Sequence, residues 1–223
     1  PSSPDNFDTA YLWETIWSRD VWLDIVGRFV QRDEKGRNIF PRFHQWAAVA
    51  SLEADAKDKG AGRSYLIQHS PGAGKSNSIS WLAHRLSTLH SAADKKVFDK
   101  VIVITDRRVL DSQLRENVRQ FERTQGVVQA VVGLESSKTA ELTEALMSAT
   151  SRIVITTLQT FPFVIDQVAG KDLGDKSWAV IIDEAHSSQT GDAANALRRA
   201  LGAGVELPDD LEPSDALAVL LSS

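Results

Sequence analysis

Five short runs of apolar, mostly β-branched residues constrain this chain more than anything else in it. They are Ser64–Gln68 (SYLIQ), Val101–Thr105 (VIVIT), Val127–Val132, Arg152–Thr156 (RIVIT) and Ala179–Asp183 (AVIID). Each is followed by a stretch that reads as helical, over 76–89, 108–121, 138–148, 161–169 and 189–200. Strands this apolar are buried on both faces. Strands alternating with helices build a parallel sheet, with the connecting helices laid over its two sides. The expected class is therefore α/β, a parallel sheet covered by helices on both faces.

The flanks read differently. Over 7–30, Phe7, Tyr11, Trp13, Ile16, Trp17, Trp22, Leu23, Ile25, Val26, Phe29 and Val30 recur at three- and four-residue spacings, which predicts an N-terminal helical extension. A run so aromatic must pack on something: a core-facing helix pair is the plainer reading, a protein-docking surface the sharper one. Residues 31–39 are a charged turn around Gly36. A helix then runs from Phe40–Gln45 to about Lys57, ended by Gly60 and Gly62. Residues 203–223, with Pro208 and Pro213, read as an acidic loop closing on a short helix from Ser214.

Composition removes several chemistries. There is no cysteine, which excludes a disulfide scaffold, a thiol nucleophile and a cysteine-ligated metal. The five histidines show no ligand spacing. The formal net charge of −5 arises in 205–223, where Glu206, Asp209, Asp210, Glu212 and Asp215 stand without Lys or Arg. The rest is balanced, so a strongly basic nucleic-acid coat is excluded. Segment 95–123 sets Lys95, Lys96, Lys100, Arg107, Arg108, Arg115, Arg119 and Arg123 against five carboxylates. Mixed charge of this kind reads as a solvated face, not a phosphate-binding stripe. No apolar run approaches the ~20 residues that span a bilayer, so no membrane partner is expected.

The strongest local signal is His69-Ser70-Pro71-Gly72-Ala73-Gly74-Lys75-Ser76, between a predicted strand and a predicted helix. Gly72 and Gly74 let the backbone curl, so that successive N–H groups, with that of Ala73 between them, face one concavity. The concavity lies at a helix N-terminus, where partial positive charge favours phosphate. Lys75 reaches the β- and γ-phosphates, and the Ser76 hydroxyl binds Mg²⁺. The full pattern begins with Gly where this chain has His69. The partner signal is Asp183-Glu184-Ala185-His186 at the end of an apolar strand. Parallel strands open their carboxyl ends along one edge, so Asp183 emerges near the glycine turn. Asp183 would hold Mg²⁺ through its water shell, and Glu184 would orient or deprotonate the attacking water. Together these predict hydrolysis of a nucleoside triphosphate. His186 reads equally as a surface helix residue or as a bridge from the γ-phosphate to a moving element.

The phosphate loop with Asp183-Glu184-Ala185-His186 resembles superfamily 2 helicases and translocases. Arg42 with Phe43-His44-Gln45 resembles their adenine-reading segment. Thr105-Asp106-Arg107, followed by Leu110 and Gln113, and Thr156-Thr157-Leu158-Gln159 resemble two further segments of the same motors. His69, and the run Asp183–Gly191 with Ser187 in place of the usual Arg, are similar to the restriction subunits of type I restriction-modification enzymes. The resemblance covers roughly residues 20–200.

It implies a RecA-like P-loop fold in three parts: an extension over 1–40, an ATP-binding lobe over 41–204 and an acidic segment over 205–223. It further implies ATP and Mg²⁺ as cofactors. Double-stranded DNA, with the modification and specificity subunits, would be the partners, in a prokaryotic cytoplasm. Gln45, supported by Arg42, would contact adenine; a surface helix residue is the plainer alternative for Gln45. Arg107, Thr157, Gln159 and His186 would face DNA or couple to it. A second lobe with its arginine finger and an N-terminal nuclease have no counterpart here, so a nearly inactive fragment is expected. The alternatives are another superfamily 2 motor, such as an RNA helicase, or a P-loop switch that binds nucleotide without translocation.

Overall fold

A computed structural model describes residues 7, 9–33, 35–68, 70, 72–105, 108–122, 126–131, 136–157, 176–183 and 216–222. The predicted helices over 161–169 and 189–200 lie outside the described residues, as do His69, Pro71, Asp106, Arg107, Leu158, Gln159, Glu184 and His186.

The N-terminal stretch is one short α-helix flanked by π-helical turns, not one continuous helix. A π-turn over Leu12–Ile16 ends before Ser18, whose extended backbone (ψ 143°) breaks the run. Helix α1 follows (Arg19–Asp24), then a second π-turn over Ile25–Phe29. Only part of the aromatic run faces inward. Ile16, Ile25 and Phe29 are buried, whereas Trp13 and Trp17 are 49% and 61% exposed. The reading of the whole run as core-facing is thereby corrected. The charged turn that follows is a small hairpin: β1 (Gln31–Arg32) pairs antiparallel with β2 (Asn38–Ile39). Asp33 closes it, accepting from the backbone N–H groups of Lys35 and Arg37 at 3.0 and 2.7 Å.

Helix α2 (Phe43–Lys59) stops at Gly60, where φ is +71°. The alternating elements then appear as expected: β3 (Arg63–Gln68), α3 (Lys75–Ser87), β4 (Lys100–Thr105), α4 (Arg108–Gln120), β5 (Val128–Val131), α5 (Ser136–Met147), β6 (Ile153–Thr157) and β7 (Trp178–Ile182).

The principal sheet has the order β3-β8-β7-β4-β6-β5. Four neighbouring strands, β7, β4, β6 and β5, are parallel. The eighth strand, β8 (Ala216–Ser222), was not expected. It runs antiparallel between β3 and β7, so the helix expected from Ser214 is a strand. The sequence ALAVLLS explains the outcome: an apolar segment gains more from both neighbours of a sheet slot than from one helix face. Two reversals restore direction, so β3 and β7 point the same way and open at the same edge.

Alternate residues of each strand face opposite ways. Val101, Val103, Ile153, Ile155, Ala179 and Ile181 pack with Ile79, Leu82, Leu86, Leu114 and Val118 of α3 and α4 into one core. Phe29 belongs to the same core: it packs against Trp81 (ring centroids 5.7 Å), whose Nε1 donates to the Phe29 carbonyl at 2.8 Å. Arg85 lies over the Phe29 ring and pairs with Asp24 at 3.0 Å and with Glu53. The segment that precedes the sheet is thus fastened to it. On the opposite face Ile102, Ile104, Val154, Val180 and Ile182 are also buried, and α5 packs against β5 and β6.

Candidate functional site

The glycine turn behaves as its sequence demands. Gly72 and Gly74 take φ of +74° and +83°, a region that side chains with a Cβ avoid. Gly74 is the N-cap of α3 and makes no side-chain cap hydrogen bond, so the positive end of the helix meets the glycine turn itself. Ala73 is buried between the two glycines. Ser76 stands second in the helix; its carbonyl accepts from the Ser80 hydroxyl at 2.9 Å.

Gln45 has a role here that its place in the sequence does not reveal. It is buried, and its Nε2 donates to the carbonyls of Ala73 (3.1 Å) and Gly74 (2.9 Å). Its Oε1 accepts from the Arg42 N–H at 2.9 Å, closing the start of α2. His44 Nε2 lies 3.2 Å from the Ala73 carbonyl. Residues 44 and 45 therefore hold the loop's carbonyls outward, away from the concavity. A Cβ on Gly74 would stand 2.5 Å from Gln45 Nε2, a contact real side chains do not make. Gly74 is thus required by its φ, and a side chain there would also push the Gln45 amide off the loop carbonyls. The burial of Gln45 removes the plainer alternative, a surface helix residue.

Asp183 follows β7 and is 7% exposed. Its N–H donates to the Ile104 carbonyl at 2.9 Å, extending the parallel ladder to the end of the strand. Across the intervening β8, Lys75 Nζ approaches Asp183 Oδ1 to 3.0 Å. The two motifs predicted to share a site therefore meet, with both side chains largely shielded from water. The Asp183 carboxylate, and the hydroxyl of Ser76 next to Lys75 in the chain, are the type of oxygen donor that suits a magnesium ion with its water shell. Thr157 ends β6 on the same edge. Glu184, Arg107, Gln159 and His186 are among the predicted site residues that lie outside the described set.

Lys100 departs from the sequence reading. It is buried, not part of a solvated basic face, and its Nζ donates to the carbonyls of Ala145 (2.9 Å), Ser148 (2.6 Å) and Ser151 (2.5 Å). Burial, with Lys176 and Lys96 nearby, pushes its pKa down to about 8. Among the described residues there is no cluster of His, Asp and Glu that would hold a metal by itself. No helix among them is long and apolar enough to cross a membrane.

The chain is similar to known proteins. The family model "SWI2/SNF2 ATPase" matches residues 44–207. A Mycoplasma pneumoniae chain described as the C-terminal part of the type I restriction enzyme MpnIIP endonuclease subunit is 33% identical over 200 residues, which cover 84% of this chain and 88% of that one. The crystal structure of the UvsW helicase from bacteriophage T4 superposes with a TM-score of 0.53 over 82% of this chain, at 15% identity. The chain spans 56% of that helicase's length, and the likeness is one of fold. The loop, the acidic strand end and these matches agree: the chain belongs to the SWI2/SNF2 ATPase family and is a homologue of type I restriction-enzyme endonuclease subunits.

Proposed function

We propose that this chain is the ATP-binding and hydrolysing lobe of a DNA translocase motor in a type I restriction endonuclease subunit. The observation that carries the reading is the 3.0 Å approach of Lys75 to Asp183 beside an uncapped helix N-terminus. An anion seated on that N-terminus takes N–H bonds from the glycine turn and brings the Lys75 ammonium to its outer phosphates. Asp183 and Ser76 would hold Mg²⁺, which would supply neutralisation of the phosphate charge. Glu184 follows Asp183 directly in the chain, and we assign it the attacking water. Arg42 and Gln45 take the adenine end. Gln45 reaches a base edge only by releasing the Ala73 and Gly74 carbonyls, which ties base recognition to the shape of the phosphate loop.

Arg107, Thr157, Gln159 and His186 are assigned to coupling and to backbone contacts with double-stranded DNA, which position without reading sequence. The modification and specificity subunits of the same complex are the protein partners, and a prokaryotic cytoplasm the setting. Residues 41–204 form the lobe proper in this reading, with 1–40 as its extension and 205–223 as an acidic segment whose last strand enters the sheet.

The test is equilibrium binding of a fluorescent ATP analogue with Mg²⁺. Binding that weakens at least about a hundredfold in Lys75→Ala supports the cradle, given the size of charge-assisted phosphate contacts. Unchanged affinity in that variant refutes it.

A further inference from the structure

Beneath the ion pair lies a hydroxyl that the nucleotide chemistry above leaves without a role. Register places it. Thr105 pairs with Thr157 across β4 and β6. Ile104 pairs with Ile182 across β4 and β7, and the Asp183 N–H bond to the Ile104 carbonyl carries that ladder one step further. Asp183, Thr105 and Thr157 therefore stand in one row across three neighbouring strands, ~4.8 Å apart from strand to strand. Two residues back along each strand, Ile181, Val103 and Ile155 all face α3 and its core. Alternation puts Asp183, Thr105 and Thr157 on that same face, on the side from which Lys75 reaches Asp183.

Thr105 is 1% exposed, and among the described residues its hydroxyl has no hydrogen-bond partner. Ser78, one turn after Lys75 on α3, is fully buried with an unpartnered hydroxyl as well. Buried polar groups are ordinarily satisfied, because leaving one unpaired forfeits its hydration. Valine would fill the Thr105 position with the same shape and no such cost. The Thr105 hydroxyl is thus available for a second arrangement in which it is used.

We infer that Thr105 is a positioning residue for Asp183. Lys75 cannot serve both Asp183 and a triphosphate at close range. When the ammonium turns to the phosphates, the Thr105 hydroxyl donates to the Asp183 carboxylate and fixes the oxygen that faces the metal's water shell. The same residue borders Thr157 at the tip of β6, so the bond also joins the metal-holding carboxylate to the strand end assigned to coupling. This rests on the nucleotide reading of Lys75 and Asp183.

Thr105→Val and Thr105→Ser in the full chain test it, through two readouts that need no turnover. One is melting without nucleotide; the other is the Mg²⁺ concentration at half-maximal binding of a fluorescent ADP analogue. Thr105→Val should melt at the wild-type temperature or up to about 4 °C above it, since an orphaned hydroxyl is removed. Its Mg²⁺ midpoint should rise roughly tenfold, the worth of one charge-assisted hydrogen bond. Thr105→Ser should restore the midpoint. A Thr105→Val midpoint equal to wild type overturns the inference, and so does failure of Thr105→Ser to restore it. A Thr105→Val chain that melts lower shows a hydroxyl used in the fold and also overturns it. If the wild type shows no Mg²⁺-dependent nucleotide binding, the functional reading falls together with this inference, an outcome distinct from the other three.

Discussion

Lys100 begins β4, where its ammonium is buried and reaches three carbonyls around the end of α5. Replacing it with Met leaves those carbonyls without their donor. We expect Lys100→Met to cost about 2–3 kcal/mol in urea denaturation at pH 7. The pH dependence has a defined sign. The folded pKa of about 8 lies below the ordinary 10.5, so between those values the unfolded chain holds the proton that the folded chain has released. Wild-type stability should gain a rising contribution with pH through that window, and Lys100→Met should lack it. Equal slopes in both proteins would remove Lys100 as the cause. Nothing in the sequence marks Lys100 as buried, because a lysine at a strand start reads as solvent-facing. Gln45 was marked only through a resemblance to an adenine-reading segment, and its hold on the loop was not legible. Its contacts with Ala73 and Gly74 span nearly thirty positions, and no local pattern reports a partner so distant. Gly72, Gly74, Lys75 and Asp183 were legible because each carries a conformational or charge requirement that few residue types meet.

The five expected strands and the three described helices of the alternating region were legible from periodicity, and their bounds fall close to the expected ones. The two ends were not. A π-turn and an α-helix share apolar spacing, so the breaks around Ser18 and Ile25 leave little trace in sequence. Strand β8 has no alternating polar residues to separate it from a short buried helix, and its slot exists only because β3 and β7 stand apart. The N-terminal extension is held chiefly through Phe29, which is fully buried against Trp81 and lies under Arg85. Phe29→Ala should cost about 3–5 kcal/mol in chemical denaturation, the range for a large aromatic removed from a core. A loss below about 1 kcal/mol, the range of surface substitutions, would make 19–30 an appendage that the sheet does not need.

Across the molecule, one consequence of topology matters most. Chain reversal at β8 leaves β3 and β7 pointing the same way with one strand between them, so two motifs distant in sequence open on one edge. The sheet supplies the distance and the helix N-terminus supplies the field. Neither alone would bring an ammonium and a carboxylate to 3.0 Å. The most direct test of a shared magnesium–triphosphate site is ATP affinity measured with and without Mg²⁺ in wild type and in Asp183→Asn. That substitution keeps the side chain's size and removes its charge. Mg²⁺ should tighten wild-type binding and leave Asp183→Asn almost unchanged. An Asp183→Asn chain that gains as much from Mg²⁺ as wild type would show that the strand-end carboxylate holds no metal, and the site as described would be wrong.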